Sequence, residues 1–295
     1  GSSVLGMLIP PSLLMILYAF LAEQSVGTMF ISGVLPGLLL SVVYGIGIWA
    51  MAHFWPSYVG GSGNIERAPM GAVEFMSKLV PITGLIFLVL GGLYAGWFTA
   101  TEGAAVGASS TLLLAILRRK ITFKSALSAF LPAAQASAMI YTMLLGAAMM
   151  NTALAVSQVP ADLSAWANSL PYHPLVIVGG FLILFVFLSC VLDELAMMLL
   201  LLPVVLPTII GLDLFGLTAE YKAIWFGILM LVVVSVGLIA PPVGLTVYVV
   251  ANIAKNVPIG EIYRGIMPFL LSDIVRVLLL LFFPILTLYL VRFVG

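Results

Sequence analysis

Long apolar stretches follow one another along almost the whole chain, separated by short polar segments. A transmembrane helix needs roughly 20 predominantly apolar residues, so several of these stretches are long enough to cross a bilayer. In chain order, the pattern predicts a half-helix at 11–22, a span at 27–54, two spans within 78–117, a span at 128–157, a long apolar run at 174–210, a discontinuous helix at 221–254 and a last span at 265–293. The sequence therefore predicts an all-α polytopic membrane protein.

Two of these stretches contain a Pro-Pro pair, Pro10-Pro11 near the start of the chain and Pro241-Pro242 towards its end. Their surroundings are alike, since GMLIPPS at 6–12 matches GLIAPPV at 237–243. Proline removes a backbone N–H and clashes with the preceding turn, so each pair breaks its helix. A single break would favour a structural kink, because proline is common in membrane helices. Paired breaks in corresponding segments instead indicate the binding site of a secondary transporter.

The distribution of Lys and Arg predicts how the helices are oriented. If the run at 174–210 is a re-entrant hairpin, one membrane face receives eight of the eleven cations, as cytoplasmic loops do. These eight are Arg67, Lys78, Arg118, Arg119, Lys120, Lys124, Lys255 and Arg264. A simple span at 174–210 would scatter the last two to the opposite face. The hairpin arrangement makes the two broken helices run in opposite directions, which predicts inverted repeats.

Composition narrows the class of protein further. Hydrophobic residues make up 63% of the 295 and charged residues only 7%, whereas soluble domains carry roughly a quarter charged residues. The net charge of zero gives no support to a nucleic-acid partner. The single cysteine, Cys190, excludes an intrachain disulfide. Because no phosphate-binding loop or HExxH motif appears, the sequence predicts neither an enzyme nor a cofactor, and Na⁺ is the only ion expected.

The two breaks are the predicted ion and substrate sites. Unwound carbonyls and nearby hydroxyls suit Na⁺, and the N-terminus of the half-helix that follows suits an anionic substrate. The predicted sodium-binding residues are Ser2, Gly6, Ile9 and Pro10 at the first break and Ala240, Pro241, Gly244 and Thr246 at the second. The predicted substrate-binding residues are Pro11, Ser12, Pro242 and Glu194.

Asp193 and Glu194 lie in the middle of the run at 174–210, at the predicted tip of the hairpin. Carboxylates inside a membrane are expensive and are functional by default, so Asp193 is predicted as a further sodium ligand. Aspartate is also a favoured N-cap, and capping of the helix that begins at Leu195 stays equally open. Capping by Asp193 does not exclude ion binding.

Two other charged positions have structural interpretations. Thr99 or Thr101 is predicted to cap the helix that follows, with Glu102 in its first turn; a proton-carrying role for Glu102 is the less favoured alternative. Asp273 and Arg276 are three residues apart in the last span, so they are predicted to pair on one helix face.

Several motifs, taken in order, resemble the large membrane subunit of the TRAP transporters, the DctM-type permease. They are LIPPS at 8–12, AEQSVG at 22–27, GVLPGLLL at 33–40, FTATEGAA at 98–105, LD at 192–193 with LPVVLP at 202–207, and GLIAPPVGL at 237–245. The resemblance covers the whole chain and corresponds to the C-terminal two-thirds of the family protein. It implies that the family's early helices and first re-entrant hairpin precede Gly1.

The resemblance implies a sodium-coupled, ATP-independent importer of an organic acid (a carboxylate) in the bacterial inner membrane. It also implies an elevator mechanism, a small membrane subunit and a periplasmic substrate-binding protein as partners. One Na⁺ site would be formed by Asp193 with residues 240–246, and the other by the break at 2–12. The family usually has Thr, Asn and Pro at the positions of Ala240, Thr246 and Glu194.

Two alternative functions remain open from the sequence. One is a single-component ion-coupled carboxylate transporter of the same inverted-hairpin plan, and the other is a membrane scaffold subunit without a transport site. The predicted organisation is the end of the first repeat at 1–54, a cytoplasmic loop at 55–77, connecting spans at 78–157, the hairpin and broken helix of the second repeat at 174–254, and a cytoplasmic connection with the last span at 255–295.

Overall fold

The computed structural model describes residues 6–56, 71–119, 121–241, 244–253 and 257–293. Within these ranges every regular element is helical. In chain order the elements are α1 (Leu13–Leu21), α2 (Val26–Phe54), α3 (Ala72–Tyr94), α4 (Ala100–Leu117), α5 (Phe123–Ser157), α6 (Val159–Ser169), α7 (Pro174–Ser189), α8 (Glu194–Gly211), α9 (Ala219–Gly237), α10 (Leu245–Ile253), α11 (Ile259–Phe282), α12 (Ile285–Leu288) and a 3₁₀ turn at Val291–Phe293. Seven of the described helices are long and apolar enough to span a membrane. The predicted all-α polytopic fold is confirmed.

The chain divides into two units, Gly1–Val59 with Leu145–Gly295 and Gly60–Leu144. In the second unit α3 and α4 pack against each other. Thr99 caps α4, because its hydroxyl accepts the Glu102 N–H while the Glu102 carboxylate accepts the Thr99 N–H at 2.8 Å. This reciprocal capping box satisfies two N–H groups at the start of the helix. The predicted structural role of Thr99 and Glu102 is confirmed.

The core of the first unit is α9. Every residue from Ala223 to Gly237 is buried, as expected of a helix that is apolar on all sides. Two cross-helix hydrogen bonds dock its neighbours near its start. The Tyr18 hydroxyl of α1 donates to Ala223 O at 2.6 Å, and Trp225 Nε1 donates to Leu280 O of α11 at 2.8 Å.

Helices α7 and α8 form a hairpin beside α9. Ser189, which ends α7, lies directly against Gly237, which ends α9. At the other end of α9, Lys222 Nζ donates to the carbonyl oxygens of Ile210, at 3.0 Å, and Leu212, where α8 finishes. Helix α8 therefore runs back along α9 after the turn at 190–193. The first half of α7 and the end of α8, at Gly211, both lie beside α6, the arrangement of a hairpin whose two arms share a base.

The end of the chain differs from the prediction. The last span was expected at 265–293, but α11 covers Ile259–Phe282 and the chain leaves the helical conformation at Phe283. The reason is Pro284, which cannot donate a backbone hydrogen bond and disfavours the α conformation of the residue before it. Because Glu261 and Arg264 are charged, the apolar pattern places the start of this helix too late; the helix begins directly after Pro258.

Two further boundaries were missed. Helix α3 begins at Ala72, inside the loop predicted at 55–77. The short helix α6 lies between the predicted spans, where its length and mixed polarity gave no membrane signal. A helix of this kind is stabilised by packing rather than by its own sequence, so periodicity alone does not reveal it.

Candidate ion and substrate site

The first break separates a helical segment at 6–8 from α1. Ser12 is the N-cap of α1 in an extended conformation, and its carbonyl oxygen accepts the N–H of Ile16 at 3.2 Å. Its side chain is buried and makes no capping hydrogen bond to α1. Pro10 is buried, whereas Gly6 and Ile9 are exposed. Ser2 of this predicted site lies outside the described residues.

The second break lies between α9 and α10. Val236 O accepts the N–H groups of Ile239 and Ala240, which ends α9 tightly, and Thr246 N donates across the break to Leu238 O at 3.2 Å. Gly244 has a φ of +53°, a left-handed conformation that glycine adopts without strain. A Cβ at that position would lie 3.2 Å from Ala240 O.

The missing side chain of Gly244 therefore leaves space in front of the Ala240 carbonyl. Ala240 is buried and Pro241 is exposed, so the two consecutive carbonyl groups sit at the boundary of the packed interior. Pro242, predicted as substrate-binding, lies outside the described residues.

The hairpin tip carries the two carboxylates. Asp193 is the N-cap of α8, and its Oδ2 accepts the N–H of Leu195 at 3.0 Å, which confirms the capping prediction. An ionised carboxylate has about four acceptor sites, so one hydrogen bond leaves capacity for a cation. Glu194 is half-buried, and among the described residues its Oε2 has no hydrogen-bond partner.

Tertiary packing brings the two breaks and the hairpin tip together within the first unit. Ser235, near the end of α9, lies 3.2 Å from Met7 Sδ, next to the first break. Cys190, at the hairpin tip, packs in one buried cluster with Val236 and Ala240, and its Sγ lies 3.8 Å from Pro241 O. Segments far apart in sequence therefore meet around the end of α9.

A buried polar network near the second break was only partly predicted. Asp273 Oδ1 and Arg276 Nη2 lie 2.9 Å apart, and both side chains are buried, so the predicted pair on α11 is confirmed. The Tyr44 hydroxyl of α2 also donates to Asp273 Oδ2 at 2.8 Å. No spacing rule predicts this contact, because it joins two helices more than 200 residues apart in sequence. A tyrosine in the middle of an apolar span is the only sequence signal for it.

The chemistry available at this place is that of oxygen ligands. Backbone carbonyls, the Thr246 hydroxyl and the Asp193 carboxylate are hard donors that suit a cation such as Na⁺ rather than a soft transition metal. A helix begins at each break, and its partly positive N-terminal end suits an anion. Discontinuous helices of this kind are typical of secondary transporters, a class of membrane protein.

Comparison with known proteins identifies the family. The chain belongs to the DctM component family of the tripartite ATP-independent periplasmic transporters, whose family model matches residues 1–286. This family consists of transporter components, not enzymes. Family membership and the seven apolar helices place the chain in the bacterial inner membrane as a multi-pass protein.

Several curated relatives are similar over nearly the whole chain. The C4-dicarboxylate TRAP transporter large permease protein DctM of Pseudomonas aeruginosa is 29% identical, over 100% of this chain and 66% of the relative. The sialic acid TRAP transporter large permease protein SiaM of Vibrio cholerae is 27% identical, over 98% and 65%. The isethionate TRAP transporter permease protein DctMQ of Oleidesulfovibrio alaskensis is 27% identical, over 95% and 42%. The chain thus spans about two thirds of the length of the first two relatives.

Proposed function

We propose that this chain is part of the large permease subunit of a sodium-coupled TRAP transporter that imports an organic acid. A periplasmic binding protein delivers the acid, and a small membrane subunit completes the transporter. The single observation that carries the proposal is the meeting of two broken helices and a hairpin tip around the end of α9, in a chain of the DctM family.

Sodium coupling is supported by the donor set at the second break. Ala240 and Pro241 present consecutive carbonyl groups, Gly244 leaves space beside the first of them, and Thr246 adds a hydroxyl. Asp193 supplies the negative charge that a desolvated cation needs. The first break offers ligands of the same kinds, backbone carbonyl groups and the buried Ser12 hydroxyl.

An anionic substrate is supported by the helix ends and by the relatives. The positive ends of α1 and α10 follow the two breaks, so an acid bound at either break would meet one of them. The relatives are named for C4-dicarboxylates, sialic acid and isethionate, all of them organic anions. We propose a carboxylate as the substrate class.

The proposed mechanism is of the elevator type. The hairpin and the two discontinuous helices would carry ion and substrate across the membrane together, since their ends share one site. Crosslinking α8 to a helix of the transporter that does not move with the hairpin should then stop uptake while leaving sodium-dependent substrate binding intact. Uptake that persists in the crosslinked protein would contradict this part of the proposal.

The test is uptake by the complete transporter in proteoliposomes. Radiolabelled succinate and sialic acid are the probes, with an inward gradient of Na⁺ or, as the matched control, of K⁺. We expect uptake of one of the two acids with Na⁺ and the binding protein present, and none when either is replaced or omitted. ATP inside or outside the vesicles should have no effect.

The same experiment separates the alternatives. Uptake that continues at the same rate without the binding protein would identify a single-component carboxylate transporter. Correctly inserted protein that moves no acid from a panel of labelled carboxylates, while the Pseudomonas aeruginosa relative moves succinate in parallel vesicles, would favour a scaffold subunit. Equal uptake with Na⁺ and K⁺ would contradict sodium coupling but not the TRAP assignment.

A further inference from the structure

A buried polar network lies behind the second break, and the site described above makes no use of it. Its members are Asp273 and Arg276 on α11 and Tyr44 on α2. Among the described residues, Arg276 Nε and Nη1 have no hydrogen-bond partner. A buried ion pair contributes little net stability, because the cost of desolvation offsets the attraction between the charges. Such a network instead holds the side chains that take part in it at fixed positions.

The ring of Tyr44 connects this network to the second break. Tyr44 belongs to one buried cluster with Ile239, the residue before Ala240. Its ring meets Phe269 of α11 edge-on, with 5.1 Å between the ring centroids. One residue further along α11, Leu270 packs against the cluster that contains Ala240. Ile239 and Ala240, the two residues before Pro241, therefore pack against the cluster that contains Tyr44 and against α11.

Asp273 fixes where that ring lies. A buried tyrosine hydroxyl needs a partner, and the 2.8 Å bond to Asp273 Oδ2 holds the far end of the ring. Asp273 is in turn held by Arg276 on the same helix. Displacement of the ring would remove the side-chain packing of Tyr44 against Ile239, and the prolines that follow cannot replace it with backbone N–H hydrogen bonds.

We infer that Tyr44 is a positioning residue for the second break, acting through Ile239 on the carbonyl groups of Ala240 and Pro241, and that Asp273 and Arg276 hold it in place. The part of this inference that concerns ion affinity rests on the proposed function, because it takes those carbonyls to be sodium ligands. The part that concerns the position of the break does not.

The test compares two tyrosine-to-phenylalanine variants of the complete transporter. Tyr44→Phe removes the hydroxyl that binds Asp273. The matched control, Tyr18→Phe, removes another buried tyrosine hydroxyl, which donates to Ala223 O at the opposite end of α9. Both variants lose one buried cross-helix hydrogen bond, so both should lose thermal stability. We expect only Tyr44→Phe to raise the Na⁺ concentration for half-maximal uptake, by about fivefold, the size of one ordinary hydrogen bond.

A second measurement does not depend on transport. Cys190 is buried in contact with Val236 and Ala240, so its reaction with a maleimide reports how tightly the hairpin tip packs on the break. The extent of labelling at Cys190 is read by mass spectrometry of its peptide in the detergent-solubilised transporter. We expect faster labelling in Tyr44→Phe than in the parent, and the parent rate in Tyr18→Phe.

The two measurements test different parts of the inference. Labelling at the same rate in both variants overturns the inference, whatever the uptake shows. Faster labelling in Tyr44→Phe together with sodium-independent uptake by the parent supports the positioning role and overturns the proposed sodium coupling. An equal shift of the sodium dependence in both variants shows that lost stability, not position, is responsible, and overturns the inference.

Discussion

At the scale of single residues, Asp193 combines a structural task with free binding capacity. It caps α8 through one oxygen, and it lies at the tip of the hairpin. Cys190, at the same tip, packs against the second break. The sequence leaves two roles of Asp193 open, capping and ion binding, and the structure shows the capping hydrogen bond. The two roles can be separated because asparagine caps a helix as well as aspartate does.

We therefore predict different outcomes for two substitutions of Asp193. Asp193→Asn keeps the cap and removes the charge, so it should leave the thermal midpoint near that of the parent and weaken sodium-dependent uptake. Asp193→Ala also removes the cap, and should additionally lower stability by about 1 kcal/mol. Thermal unfolding and the sodium dependence of uptake measure the two effects. Parental sodium dependence in Asp193→Asn would show that Asp193 is a cap alone.

Glu102 is the second residue whose roles can be separated. Glu102→Gln preserves the capping box, because glutamine at this position also accepts the N-cap N–H. We expect parental uptake and parental stability in this variant, whereas Thr99→Val, which removes the capping oxygen, should lower thermal stability. Loss of uptake in a stable Glu102→Gln protein would instead identify a proton-carrying role.

At the scale of elements, the hairpin tip is held against the end of α9 by close approach of small residues. Gly237 has no side chain, and a Cβ there would collide with the Ser189 side chain and approach its backbone. Few directional bonds join the tip to the break, the shortest described being the 3.8 Å contact between Cys190 Sγ and Pro241 O. At the base of the hairpin, by contrast, the Lys222 ammonium group donates to two carbonyl groups at the end of α8. Its positive charge also offsets the partly negative end of that helix.

Gly237→Ala should accordingly separate the tip from the break. Overpacking of this kind costs about 1–3 kcal/mol, and we expect lower thermal stability and faster maleimide labelling of Cys190. Ser189→Gly makes room for the added methyl group, so the double variant should recover part of both losses. Gly179→Ala is the control, since a Cβ there meets open space. Additive losses in the double variant would contradict the described packing.

At the scale of the whole molecule, the predicted topology depends on whether the chain reverses its direction at 190–193. If α7 and α8 are a hairpin, every helix after α8 has the orientation that the cation distribution predicts. The end of α7 contacts the end of α9, and the end of α8 contacts its start, which describes a hairpin by packing; labelling from the two membrane faces tests its orientation.

Single cysteines in a Cys190→Ser background test this topology. Lys124→Cys and Arg264→Cys should react with a membrane-impermeant maleimide only in inside-out vesicles, and Arg292→Cys only in right-side-out vesicles. All three positions are exposed. Lys124 precedes the hairpin and serves as the internal control. Labelling of Arg264→Cys from the outside would show that 174–210 crosses the membrane once.

Sequence alone predicted most of the helices and the places where they break. Apolar length marks a membrane helix, and Pro-Pro ends one, because both effects act within a few residues of the chain. For the same reason the caps at Thr99 and Asp193 and the pair on α11 were predictable. The end of α11 was placed too late because apolar sequence continues past Pro284, and α6 was missed because its stability comes from packing.

What only the tertiary structure decided is which of these local features meet. The contacts of Met7 with Ser235, Cys190 with Ala240 and Tyr44 with Asp273 join segments separated by tens to hundreds of residues. No local rule contains them, since they follow from how whole helices pack around the buried α9. The sequence determined that this protein has broken helices in a membrane; packing determined that the hairpin tip lies against the second break and that the segment before the first break contacts the same end of α9.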